Sequence, residues 1–260
     1  MTKKIFTLAT MFLFVLGMFA VLAPSASALI AVEDNFDSNE SGDGTLLGDT
    51  TDNGLTWTAG LVTPTADIQV GAGYGQSGNG AGSVAGSQSN LVTFATPFTS
   101  GKVFLSYDVH TDLTGGSGFQ PILRGTGGNS SLIVAHNVDA TGIYQEGLGA
   151  GAQGTTAGLF TAQPTNVSIL AEYDLDALTL DVTYEDIDNP SNGSGTFQLT
   201  ISAGYEPYGF EIFRNAGGGG NVGIDNLRIA DTAAIPEPSS LFLLSLGCVA
   251  LLATRRRRQV

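Results

Sequence analysis

The 260-residue chain is short of the residue types on which much protein chemistry depends. Its one cysteine, Cys248, sits inside an apolar run near the C-terminus. An internal disulfide, a multi-cysteine zinc site and a cysteine nucleophile outside that run are therefore excluded. The two histidines, His110 and His136, are far apart and do not form a His-Glu-x-x-His zinc motif. With Trp57 as the only tryptophan, no flat row of indoles for gripping crystalline polysaccharide can be built, and Trp57 itself reads as core. No Gly-x-Ser-x-Gly nucleophile elbow occurs.

Basic residues are scarce where they would matter for binding. Of the ten, Lys3 and Lys4 lie at the start and Arg255, Arg256, Arg257 and Arg258 at the end. Residues 29–234 keep Lys102, Arg124, Arg214 and Arg228 against 23 acids. A surface so negative repels phosphate backbones, so nucleic acid is excluded as a partner. The acids read as solvated charge, with calcium as the alternative.

The ends are apolar. Lys3 and Lys4 precede a greasy run over 5–22 and then Ala26-Ser27-Ala28. A charged start, an apolar core and a small-x-small site predict a signal peptide over 1–28, handled by the Sec machinery and cut by signal peptidase after Ala28. At the other end Ile235 and Pro236-Glu237-Pro238 precede an apolar span over 239–254 and the arginines of 255–258. Sixteen residues as a helix reach about 24 Å, enough for a thin membrane. The arginines hold the C-terminus inside and leave the domain outside. Cys248 reads as a small apolar filler of the span, with acylation as the alternative.

This order of Pro-Glu-Pro, apolar span and Arg-rich tail over 235–260 resembles the PEP-CTERM sorting signal. Ile235 stands where that family often has Val. The resemblance implies processing near Pro236, Glu237 and Pro238 by an exosortase-type transpeptidase. It also implies a link to exopolysaccharide and a place at the cell surface or in the extracellular matrix of a bacterium. The signal is an address and carries no function for the domain over 29–234.

That domain shows no sustained helical period. Alternation of period two runs through 102–110, 167–173, 178–184 and 197–203. Val103, Leu105, Tyr107 and Val109 fall on one face of their segment, and Phe104, Ser106, Asp108 and His110 on the other. Further strands are predicted at 29–36, 91–95, 119–124, 132–136, 208–213 and 222–229. A short acidic turn joins 167–174 to 178–185 as a hairpin. Gly-rich stretches at 71–86, 115–118, 125–128, 147–158 and 217–220 are assigned to surface loops. Ten to twelve strands without helices predict an all-β, two-sheet antiparallel sandwich, flanked by a signal helix and a transmembrane helix. Glu33-Asp34-Asn35-Phe36-Asp37 at the start and Gly223-Ile224-Asp225-Asn226-Leu227-Arg228-Ile229 at the finish resemble concanavalin A-like and carbohydrate-binding jelly rolls, in which the first and last strands are neighbours. That resemblance implies a lectin-like domain with a weak carbohydrate-binding role.

Four groups of residues are site candidates. Ser106, Asp108 and His110 share one strand face; neighbours on such a face stand nearly 7 Å apart, too far for a Ser-His-Asp relay, so the row is a polar or sugar-contacting face. Glu172, Asp174 and Asp176 resemble the Glu-x-Asp-x-Glu strand of laminarinase-type hydrolases, with Asp in the last place. Their alternative reading is an acidic hairpin turn. Asp37, Asn39 and Asp43 resemble the first half of an EF-hand loop, with Gly48 where the last glutamate belongs. Glu33 or Asp34 with Asp225 is a second place for a structural Ca²⁺, which the jelly-roll resemblance implies between first and last strands. The reading is a non-enzymatic surface or matrix protein, with an extracellular glycoside hydrolase or lyase as the alternative.

Overall fold

The computed structural model describes residues 29–37, 44–61, 67–71, 80–83, 88–111, 119–126, 132–133, 143–146, 153–162, 164–214 and 222–231. The signal peptide, the Pro-Glu-Pro segment, the apolar span, the arginine tail, Asn39 and Asp43 lie outside them. Every regular element among the described residues is a strand. In chain order these are β1 (Ile30–Asp34), β2 (Thr58–Ala59), β3 (Gln69–Val70), β4 (Ala81–Ser83), β5 (Gln88–Thr93), β6 (Lys102–Thr111), β7 (Phe119–Gly125) and β8 (Leu132–Ile133). They continue with β9 (Ile143–Glu146), β10 (Gln153–Thr156), β11 (Asn166–Asp174), β12 (Thr179–Asp186), β13 (Ser194–Thr200), β14 (Pro207–Arg214) and β15 (Val222–Ala230).

The strands form two antiparallel sheets packed as a jelly-roll sandwich. The first runs β13-β12-β11-β6-β15-β4-β3, with β1 also on β15; the second runs β10-β9-β8-β7-β14-β5-β2. β4 pairs with Val222, Gly223 and Ile224 of β15, and β1 with Leu227 to Ala230, so the two share one edge of the last strand. The first and last strands are neighbours, as the domain's opening and closing sequences imply.

Alternation explains the layers. Val103, Leu105, Tyr107 and Val109 of β6 are buried, opposite the buried Tyr173, Ala171, Ile169 and Val167 of β11. Leu180 and Val182 of β12 extend the same face, and Phe210 and Ile212 of β14 meet it from the second sheet. Each Val, Leu, Ile or Phe of this set contributes roughly 1.5–3 kcal/mol by leaving water. Trp57 is fully buried in this core, as its isolation in the sequence suggests. The hairpin of β11 and β12 closes through Leu178, which sits at φ 57°.

Three readings are corrected by the coordinates. Two of the Gly-rich stretches contain strands: Ala81–Ser83 inside 71–86 and Gln153–Thr156 inside 147–158. Ala81 is fully buried opposite Ile224 of β15. The described residues hold fifteen strands, more than the ten to twelve expected, since two- to four-residue strands leave no periodicity to detect.

Candidate ligand-binding face

The outward face of the first sheet is built around β6. Residues directly opposite in an antiparallel pair share a face. Ser106 stands between Leu170 and Arg228, Asp108 between Ser168 and Asp225, and His110 between Asn166 and Gly223. The row is half-buried. The structure therefore brings Ser106, Asp108 and His110 onto one polar face, but Asp108 and His110 bond sideways rather than along the row.

Asp108 is bonded from the last strand. Between Asp225 and Arg228 the β15–β6 register slips, and Asn226 in that bulge adopts φ 52°. Asparagine tolerates the left-handed region better than most residues. The bulge aims its amide outward, where Nδ2 donates to Asp108 Oδ2 at 2.8 Å. His110 is bonded from β11: its Nδ1 lies 2.6 Å from Asn166 Oδ1. Asn166 Nδ2 donates to Asp188, so Asn166 presents its oxygen to the ring. Nδ1 is thereby assigned as the protonated nitrogen, leaving Nε2 as the ring's other hydrogen-bonding atom.

A cleft of about 230 Å³ adjoins this face where β1 meets β15, lined among others by Glu33, Asp34, Asp52, Ser106, Asn226 and Arg228. Asp34 is the unusual member. It shares the core-directed side of β1 with the buried Val32. Trp57 Nε1 donates to its Oδ2 at 2.7 Å, and Phe36 N to its Oδ1 at 2.8 Å. Burial nonetheless raises its carboxyl from 3.8 to about 7; those two bonds lower it, while the charges of Asp52 and Asp49 raise it further. Phe36 itself sits at φ 53°. Asp52 accepts from Asn35 N at 3.0 Å, and Asn53 accepts from Glu33 N at 3.2 Å, so the 49–53 loop is docked on β1.

The acids proposed for calcium are not assembled around one point. Asp34 lies opposite Leu227 on the core side, and Asp225 lies opposite Asp108 on the outward side. Asp225 Oδ1 accepts from Asn226 N at 2.8 Å. Asp34, whose carboxyl already receives two N–H bonds and is held toward its neutral form, is a poor calcium ligand. Among the described residues no group of three or more His, Cys, Asp or Glu side chains is placed to hold a metal. Of the EF-hand-like set only Asp37 is described; its N donates to Asn35 Oδ1 at 3.2 Å.

The Glu172, Asp174 and Asp176 set is spread over a hairpin. Glu172 pairs with Lys102. Asp174 Oδ1 accepts from Asp176 N at 3.1 Å and Ala177 N at 2.7 Å, closing the turn. Asp176 accepts from Gly101 N at 3.1 Å.

A second polar group escaped the sequence reading. On β14, Phe210 and Ile212 face the core, which leaves Glu211 on the opposite side, yet Glu211 is fully buried. Its Oε2 takes an ion pair and hydrogen bond from Arg124 of β7, and its Oε1 accepts from Ser89 of β5. Leu61 N adds a bond to Oε1 at 3.0 Å. Gly60 is what lets this strap approach, because a Cβ there would lie 1.6 Å from Ser89 Oγ and 2.5 Å from Glu211 Oε1. The outer side of the second sheet is thus covered at this point. The available signal was a lone glutamate in the otherwise apolar run of 208–213.

Solved structures similar to the chain include the T. cruzi calreticulin globular domain, at 11% identity and TM-score 0.47, covering 78% of this chain and 88% of that one. The CBM2 module of Lactobacillus casei BL23 phage J-1 evolved Dit is 12% identical at TM-score 0.47, covering 80% of this chain and 98% of that one. Lectin II from Ulex europaeus is 12% identical at TM-score 0.40, covering 63% and 91%. No curated protein matches the chain. Residues 234–258 match the family model described as the PEP-CTERM protein-sorting motif. The chain therefore carries the C-terminal signal of an exosortase-sorted protein, which implies export, C-terminal anchoring and display at the cell surface.

Proposed function

We propose that the domain is a non-enzymatic component of the cell surface or its matrix that binds neutral exopolysaccharide weakly through the outward face of its first sheet. The observation that carries this reading is the in-register row of Ser106, Asp108 and His110, flanked by Asn166 and Asn226. Hydroxyl, carboxylate, imidazole and amide groups side by side offer the donors and acceptors that sugar hydroxyls require. Burial of Trp57 removes the only indole from the surface, so stacking adds little and affinity stays low. The excess of acids disfavours anionic polymers.

The non-enzymatic part is supported by how the carboxylates are used. Glu172 serves an ion pair, Asp174 and Asp176 serve the hairpin and its neighbour, and Glu211 serves a buried latch. Retaining glycosidases need two carboxyl groups about 5 Å apart across a cleft.

The test is affinity electrophoresis of the detergent-solubilised protein through gels containing neutral polysaccharides. Retardation that is lost in both Asp108→Ala and His110→Ala is expected. Retardation unchanged by either variant would place binding elsewhere, and none in any polymer would favour a purely structural role.

A further inference from the structure

The strand that opens the described domain and the strand that closes it end side by side. Ile30 stands opposite Ala230 in the β1–β15 ladder. One step further, Asp231 N donates to Leu29 O at 3.1 Å. Leu29 N returns a bond to Asp231 Oδ1 at 2.9 Å, in an exposed position. Leu29 is the residue that follows Ala26-Ser27-Ala28. The ladder has therefore set the expected leader-cleavage junction against a carboxylate from the far end of the domain.

Cleavage changes the chemistry of that contact. In the uncut chain the Leu29 nitrogen is an amide with one proton and no charge. Hydrolysis of the Ala28–Leu29 bond gives the hydroxyl of water to the Ala28 carbonyl and a proton to the Leu29 nitrogen. The resulting primary amine is largely protonated at neutral pH, since α-amino groups titrate at about 7.7–8.0. No salt bridge to Asp231 exists among the described residues. The cleft beside Leu29 is walled by Ile30, Ala31, Asn53, Leu55, Phe94 and Thr96, none of which ionises. Asp231 is the acid that faces the new charge.

We propose that Asp231 is a binding site for the chain's own processed N-terminus: removal of residues 1–28 leaves an α-ammonium at Leu29 that Asp231 holds as an ion pair. This rests on cleavage after Ala28 and is independent of the sugar-binding reading. The pair clasps the two ends of the sandwich immediately ahead of the sorting motif that begins at residue 234. Tension on a C-terminal anchor enters the domain at Ala230 and Asp231, the point the clasp secures. Leader removal thereby strengthens the attachment of β1, which among the described residues pairs only with β15.

The test uses the mature protein recovered from the cell surface. Mass spectrometry of its N-terminal peptide is expected to begin at Leu29; a different first residue overturns the proposal. With residues 1–28 gone, the amines left in the domain are that of Leu29 and the side chain of Lys102, which serves as the internal control. Both are trace-labelled with acetic anhydride between pH 6 and 9, in the natural protein and in Asp231→Asn. The substitution is exposed and keeps an acceptor oxygen while removing the charge. An exposed pair shifts the amine upward by a few tenths of a pH unit. At pH 7 the Leu29 amine of D231N is therefore expected to acylate about two- to threefold faster, with Lys102 unchanged. The difference is expected to shrink in about 1 M salt. Equal Leu29 rates in the two proteins refute the clasp.

Discussion

The sharpest consequence of the second sheet concerns Glu211. Changing Glu211→Gln keeps the volume of the side chain and removes its charge. Three donors converge on the carboxylate: Arg124, the Ser89 hydroxyl and Leu61 N. A glutamine offers one acceptor oxygen and turns its NH₂ group toward a donor on the other side, so at least one donor loses its partner. Arg124 is left facing a neutral amide with its side chain only 12% exposed. Breaking a fully buried pair costs about 3–5 kcal/mol, and a charge-assisted hydrogen bond is worth about 1.5–3 kcal/mol. Arg124 keeps some access to water, so the expected loss is about 2–4 kcal/mol. For a domain of about 200 residues that lowers Tm by roughly 4–16 °C.

Urea unfolding of four proteins measures it: the natural chain, Glu211→Gln, Arg124→Met and the double variant. The double variant is expected to be less destabilised than the two single losses combined, by about 1–3 kcal/mol, because removing both partners leaves no orphaned charge. Hydrogen exchange at the Leu61 amide is expected to quicken in Glu211→Gln. Strict additivity in the cycle, or a loss of under about 1 kcal/mol, would show that the buried carboxylate is not the organising group of this layer.

The core could be read from the sequence because one side of each long strand is buried. The period-two pattern of 102–110 and 167–173 therefore reports directly which residues face inward. Ser106, Asp108 and His110 were legible as a shared face for the same reason. What local pattern cannot encode is a partner fixed by tertiary contact. Gln88, Ser89 and Asn90 form a polar trio that nothing marks as a strand, yet all three are buried in β5. Their burial is offset at a distance: Asn90 Oδ1 accepts from Ile68 N at 2.7 Å, and Ser89 bonds Glu211. Asn226 meets Asp108 only because the chain bulges into a left-handed turn there, which a reading of strict alternation misses. The acids of the first and last strands were correctly placed as neighbours in the fold. Asp34 and Asp225 point to opposite faces of the sheet, and Glu33, which shares the outward face with Asp225, stands opposite Arg228 instead.

Two further outcomes follow from the same geometry. Gly60→Ala is expected to cost about 1–3 kcal/mol through overpacking against Ser89 and Glu211. An unchanged urea midpoint would mean that the strap can lift without loss. The remaining prediction concerns pH. The Asp34 carboxyl titrates at about 7 when folded, against an ordinary value of 3.8. Between those values the unfolded chain releases this proton while the folded one retains it. The folded state then binds more protons, so stability from this group falls as pH rises from about 4 to 7 and stays low above. At about 1.4 kcal/mol per pH unit the decline is on the order of 4 kcal/mol. The other carboxylates titrate as well, so the informative quantity is the difference between the natural chain and Asp34→Asn, which has no charge to lose. Asparagine carries its own constant cost, since its NH₂ must face either Trp57 Nε1 or Phe36 N. That cost does not vary with pH, and it leaves the slope as the clean reading. In urea unfolding measured every half unit from pH 4.5 to 8, the natural chain should lose ground steadily relative to Asp34→Asn as pH rises to about 7. Parallel curves would mean that the buried carboxyl is ionised throughout, and that its two N–H bonds outweigh the loss of solvent around it.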